Sequence, residues 1–258
     1  MLTLTKDVLE AMESEGLDHE IGDLPLSNRS KFFPKFESEP KIKLASDPAA
    51  AAPAATAPVA APAAAPTAAC NVPFFLFFDT ETTGLCRPHV LQLAFMAFDD
   101  NGTELFRYNK IFKLFPGKKI EKSAENVHGI SLRTTLMKGV DPLPELEHFL
   151  DLCLKVNERG GKVVAHNADF DCRAFNTTLL AWKQNAVQLD RSLLFCTMKA
   201  SKTHSPLVDK RGCRKVFRND ELYKFLHGHE PDVALHDALN DVIVTSRNFF
   251  TARTKNWW

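Results

Sequence analysis

The chain has 258 residues, with 32 basic and 32 acidic side chains and a formal net charge of zero. At 45% hydrophobic and 25% charged it reads as a soluble globular protein, which excludes a collagenous, wholly disordered or membrane-spanning chain. The balanced charge excludes a whole-chain basic footprint for nucleic acid but leaves room for a local one.

Residues 1–47 form a segment of polarised charge. Residues 1–23 hold one Lys and seven acids, and residues 24–47 hold five bases and three acids. Leu4, Val8, Leu9 and Met12 fall near helical spacing. Without staples, a piece this short is not expected to build its own core. It reads as a disordered extension or as a partner-binding peptide with Phe32, Phe33 and Phe36 as anchors. Residues 48–72 are an Ala/Pro-rich linker, with 14 Ala and 5 Pro between positions 48 and 69. That proline density removes donors too often for a helix and favours a solvated tether.

Residues 73–258 are expected to form one domain. Its 26 bases and 22 acids give it a charge of +4. Phe74–Phe78 is a continuous apolar run, as in a strand buried on both faces, and is far too short to cross a bilayer. Val90–Phe98 alternates well enough for a second strand. Asp100-Asn101-Gly102 is a hairpin signal, and Thr103–Phe112 makes the third. The periodicity predicts a helix over Leu143–Val156, a short strand at Lys162–Ala165 and a helix over Asp169–Lys183. A short strand at Leu193–Cys196 follows, then a helix containing Glu221–Leu226 and a last helix over Asp237–Phe250. The order implies an α/β fold whose mixed sheet begins with an antiparallel meander.

The six cysteines form no CxxC pair. The N-terminus has seven charges by Glu20 and no apolar stretch of signal-peptide type. An intracellular setting, cytoplasm or nucleus, with reduced thiols is therefore expected. A zinc site from Cys196, His204, Cys213, His227 and His229 fits no known ligand spacing.

Three stretches carry the chemistry. The first strand runs into Asp79 and Glu81, which are two residues apart and so share one strand face. A strand that ends in paired carboxylates is either entering a solvated turn or building a divalent-cation site. Val163-Val164-Ala165 runs into His166-Asn167-Ala168-Asp169-Phe170-Asp171, where Asp171 sits near a helix start and Asn167 can cap it. His236 and Asp241 are five residues apart, about 140° around a helix, so His236 belongs just before the helix that carries Asp241.

Together Asp79-x-Glu81, Asn167-x-x-Phe170-Asp171 and His236-x-x-x-x-Asp241 resemble the three motifs of the DEDDh 3′–5′ exonucleases. Ala124-x-x-Val127-His128-Gly129-Ile130 resembles a run between the first two motifs in the epsilon proofreading subunit of bacterial replicative polymerase, and three-prime repair exonucleases are similar too. The resemblance covers about Phe74 to Phe250. It implies an RNase H-like exonuclease fold and two-metal hydrolysis with two Mg²⁺ or Mn²⁺ ions. Asp79 would bridge both ions, Glu81 and Asp241 would complete the site of the ion holding the attacking water, and Asp171 would serve the ion beside the leaving oxygen. His236 would be the general base, since an imidazole changes charge near neutral pH.

The resemblance further implies that Thr80, Thr82, Thr83, Gly84 and Leu85 hold the terminal nucleotide. Val127, His128 and Ile130 would form the opposite wall, and Asn167 and Phe170 would support the scissile nucleotide. The expected substrate is a nucleic-acid 3′ end, single-stranded DNA first. RNA is the alternative, and a non-catalytic binding module the competing class. Residues 1–47 could reach a polymerase or clamp; no membrane partner is expected. A basic stretch at Lys199, Lys202, Lys210, Arg211, Arg214, Lys215 and Arg218 suggests a backbone-binding loop, with a weaker set at Lys110, Lys113, Lys118, Lys119 and Lys122. Trp257 and Trp258 would pack on the domain's own surface or on a partner.

Overall fold

A computed structural model describes residues 73–258. The expectations for residues 1–47 and 48–72 lie outside the described residues. The first three strands are β1 (Phe75–Thr82), β2 (Val90–Phe98) and β3 (Glu104–Ile111). Two short helices follow, α1 (Lys122–His128) and α2 (Leu132–Lys138), and then the long α3 (Pro142–Glu158). Beyond them come β4 (Lys162–Ala165), α4 (Ala168–Trp182), β5 (Leu194–Cys196), α5 (Thr197–Ala200), α6 (Asn219–His227) and α7 (Ala238–Thr254). The sheet order is β3-β2-β1-β4-β5. β1 and β2 pair antiparallel, as do β2 and β3, whereas β4 runs parallel to both β1 and β5.

β1 is longer than its apolar run. Pairing with β2 continues through Asp79↔Ala94 and Glu81↔Gln92 to Thr82↔Val90, with a register shift between Glu81 and Thr82. The two acids therefore lie inside a hydrogen-bonded strand rather than in a turn after it. A bulge at this point re-aims the chain next to the carboxylates.

The strand period of two sorts β1 between two cores. Leu76 and Phe78 join Phe95, Phe149, Cys153 and Phe175 under α3 and α4. Phe75 and Phe77 join Ala94, Met96, Val164, Val242 and Phe249 under α7. Continued down the strand, the same alternation sends Thr80 toward α4, and Asp79 and Glu81 toward α7. Both terminal indoles close on the domain itself. Trp258 meets Phe195 at 5.5 Å and Phe249 at 5.8 Å, while Trp257 stacks on His204 at 4.0 Å. Among the described residues no helix is long and apolar enough to cross a membrane.

Candidate active site

Asp79, Glu81 and Asp241 each offer a carboxylate oxygen, and these oxygens lie within 4.8 Å of one another. β1 supplies two of them by its alternation, and the first turn of α7 supplies the third. Asp171 is buried at 2% exposure on the α4 side, where the Thr80 hydroxyl donates to its Oδ1 at 2.8 Å. The second motif thus splits its acids. Asp171 turns inward, whereas Asp169 turns outward and pairs with Arg191 and Lys199.

These carboxylates strain against one another. Burial first, then the charges of Asp171, Asp241, Glu81 and Asp237, push Asp79 well above the ordinary carboxylate range. Burial, Asp241, Asp171 and Asp237 push Glu81 up to about 8. Asp171 is also raised by burial, against the opposing pull of the Thr80 hydroxyl. Asp241 is raised by burial and held back by the His236 N–H and the Asn219 amide. Opposite charge at the centre of the group would relieve all four. The oxygen-only donor set and mutual repulsion therefore fit a hard divalent cation.

The sequence around α7 folds so that the backbone of its histidine is tied to Asp241 of this group. Asp237 caps the helix by accepting from the Leu239 and Asn240 N–H groups at 3.1 and 3.3 Å. Gln92 grips that cap from β2, donating to Asp237 Oδ2 at 2.9 Å. His236 precedes the cap with φ of 68°, exposed, and its backbone N–H donates to Asp241 Oδ2 at 2.8 Å. Asn219, at the start of α6, donates to the other oxygen, Asp241 Oδ1, at 3.3 Å. Asn248 holds Asn219 in turn, donating to its Oδ1 at 3.1 Å.

The remaining residues singled out in the sequence border the group unevenly. Thr82 and Thr83 are buried, and Leu85 projects at 77% exposure. Gly84 has φ of 151°, a backbone conformation that favours glycine, and an added Cβ would have to displace the Glu121 carboxylate. Val127 is exposed and Ile130 is buried. His128 spends both ring nitrogens on backbone: Nδ1 accepts from the Ile130 N–H at 2.9 Å, so Nε2–H donates to the Thr82 carbonyl at 3.1 Å. Asn167 occupies the cap position of α4 with φ of 75°, but its side chain makes no capping bond. Phe170 lies 5.5 Å from the Arg173 guanidinium.

Sequence reasoning missed Asn219, Asn248, Gln92 and Asp237 as supports. Gln92 carried a signal, being the single amide in the otherwise apolar Val90–Phe98 run. The asparagines carried none, because their role exists only once α6 and α7 pack.

Comparisons with known proteins agree with this architecture. The chain matches the exonuclease family model RNase_T over residues 76–249. No curated protein sequence matches significantly. Among solved structures, E. coli exonuclease I in complex with a dA16 oligonucleotide is similar at 18% identity and a TM-score of 0.52, covering 70% of this chain and 40% of that one. A moderately thermophilic exonuclease I from Methylocaldum szegediense is similar at 17% identity and a TM-score of 0.53, again over 70% and 40%. Cell-death related nuclease 4 (CRN-4) is similar at 18% identity and a TM-score of 0.54, over 72% and 65%. At these identities the structural likeness is one of fold, and the chain spans less than two thirds of each of the three proteins. The family match extends from within β1 into the last turns of α7 and so takes in every motif carboxylate. On that match, the chain belongs to the RNase_T exonuclease family, the DEDDh exonucleases whose motifs it resembles.

Proposed function

We propose that this chain is a metal-dependent 3′–5′ exonuclease that hydrolyses the terminal phosphodiester of DNA and releases nucleoside 5′-monophosphates, in proofreading or repair. The observation that carries the reading is the convergence of Asp79, Glu81 and Asp241 beside Asp171, with His236 tied to Asp241 through its own backbone. The exonuclease family match supports hydrolysis. DNA as substrate is supported by similarity to exonuclease I, whose structure holds an oligonucleotide.

In this reading Asp79, Glu81 and Asp241 would hold one divalent cation, and Asp79 with Asp171 would hold a second. Bound there, Mg²⁺ or Mn²⁺ would neutralise the scissile phosphate and the charge that develops on it. His236, exposed and hinged just ahead of α7, takes the proton of the attacking water. Leu85 abuts the terminal base, and the backbone near Gly84 approaches the terminal sugar. Asn167, free of capping, and Phe170 border the scissile nucleotide. In this organisation residues 73–258 are the catalytic unit, and residues 1–47, on the 48–72 linker, engage a polymerase or clamp.

The test is an end-labelled oligonucleotide assay with Mg²⁺, Mn²⁺ or chelator, run on matched DNA and RNA. Stepwise, metal-dependent shortening from the 3′ end of DNA is expected. Faster shortening of RNA would make the chain an exoribonuclease, and metal-independent cleavage would remove the reading.

A further inference from the structure

The three threonines at the end of β1 engage their hydroxyls inside the domain. Thr80, Thr82 and Thr83 are each 6% exposed. The Thr82 hydroxyl donates to the Gly84 carbonyl at 3.0 Å, and the Thr83 hydroxyl accepts from the His89 N–H at 3.0 Å. Those two bonds are local and shape the loop that follows the strand. The Thr80 hydroxyl instead reaches Asp171, 91 positions along the chain, at 2.8 Å.

The sheet explains why they meet. β4 pairs with β1 only at Phe75, Leu76 and Phe77, whereas β2 stays paired as far as Thr82. β4 ends at Ala165, and the chain passes through Asn167 at φ of 75° directly into α4. Asp171 is the fourth residue of that helix, and it meets β1 three residues past the last β4 pair.

An ionised carboxylate buried to 2% exposure needs hydrogen bonds or a cation. Asp169, on the same helical turn, has Arg191 and Lys199. Asp171 has no ion pair among the described residues, and Thr80 is the side chain that donates to it. Of the contacts that favour its charged form, the Thr80 hydroxyl is the strongest, ahead of the Asp171 and Thr80 N–H groups. Of the charges acting on Asp79, that of Asp171 is the largest.

We propose that Thr80 is the positioning residue of the second cation: its hydroxyl takes Oδ1 of Asp171, restrains the carboxylate's rotation and leaves the other oxygen to the ion. The proposal rests on the two-cation reading above. A β-branched side chain has few χ1 choices, so the fold aims this hydroxyl in advance. Without the donor, the Asp171 carboxylate would be free to rotate or to keep a proton, and a cation would have to overcome both. The first cation's ligands are supported elsewhere, since Asp241 accepts from the His236 N–H and the Asn219 amide. Loss of the Thr80 hydroxyl should therefore be felt at one ion and not at both.

The test is a Mn²⁺ titration of the full chain, with free Mn²⁺ read by electron paramagnetic resonance. Thr80→Val keeps the shape and removes the donor, Thr80→Ala removes it in a smaller side chain, and Thr80→Ser keeps it. Val and Ala variants should bind one ion as wild type does and the other about 10–100-fold more weakly, the usual effect of losing an outer support. Thr80→Ser should restore the weakened ion. The Mn²⁺ needed for half-maximal cleavage should rise by the same factor in Val and Ala variants, with kcat recovered at saturating Mn²⁺. Equal weakening of both ions, wild-type affinity without the hydroxyl, or a Thr80→Ser variant as weak as Thr80→Val would overturn the assignment and leave the nuclease reading intact. Wild-type chain that binds fewer than two Mn²⁺ would overturn the two-cation reading together with it.

Discussion

Asp79 is the residue on which the site turns. It is raised by the charges of every other carboxylate of the group, and burial disfavours its charged form. Asp79→Asn keeps the shape and removes the repulsion. The variant is expected to lose nearly all hydrolysis while the metal-free protein melts at a higher temperature than wild type. Normal turnover, or a lower metal-free melting point, would contradict this. His236 makes a separable contribution, because its backbone rather than its ring holds Asp241. His236→Ala should lower kcat by about 10²–10⁴-fold, the range of a general base, with cation binding retained. A loss of Mn²⁺ affinity in that variant would place the ring among the ligands instead. At this scale the sequence announced its acids, since charge after a buried strand needs a reason. It did not announce Thr80 as the partner of Asp171, because that bond joins residues 91 positions apart.

The elements act as carriers. α6 and α7 matter through one relay, in which Asn248 holds Asn219 and Asn219 holds the Asp241 carboxylate. Removing such an outer support typically weakens metal affinity about 10–100-fold. Asn219→Ala should do so in a Mn²⁺ titration followed by electron paramagnetic resonance, and wild-type affinity would show the relay to be idle. α7 is itself seated by Phe249, whose ring meets Phe75 at 5.6 Å and Phe77 at 5.3 Å. Phe249→Ala should cost about 3–5 kcal/mol in denaturant unfolding. The long elements were legible because their apolar periodicity matches what they bury. α1 and α2 were not: they have seven residues each, α1 buries none of them and α2 buries only Thr135. The length of β1 was underestimated for the opposite reason, since hydrogen bonding to β2 outlasts its hydrophobic pattern.

For the whole molecule, the clustered acids couple folding to pH. Glu81 titrates near 8 in the fold, against an ordinary value near 4.5, so between those limits the folded state binds more protons than the unfolded one. Stability from this group is fully present below about pH 4.5 and is lost as pH rises through about 8. Asp79, Asp171 and Asp241 are raised too and act in the same sense. Metal-free protein should therefore melt progressively lower from pH 5 to pH 8, and saturating Mg²⁺ should reverse the fall at pH 8. A melting temperature that rises over that range without metal would mean that the carboxylates are not crowded.

The most direct measurement is anomalous diffraction from crystals of the chain soaked in Mn²⁺. The account predicts a peak among Asp79, Glu81 and Asp241 and a second between Asp79 and Asp171, both absent in Asp79→Asn. Peaks elsewhere, or none at these oxygens with Mn²⁺ saturating, would contradict it.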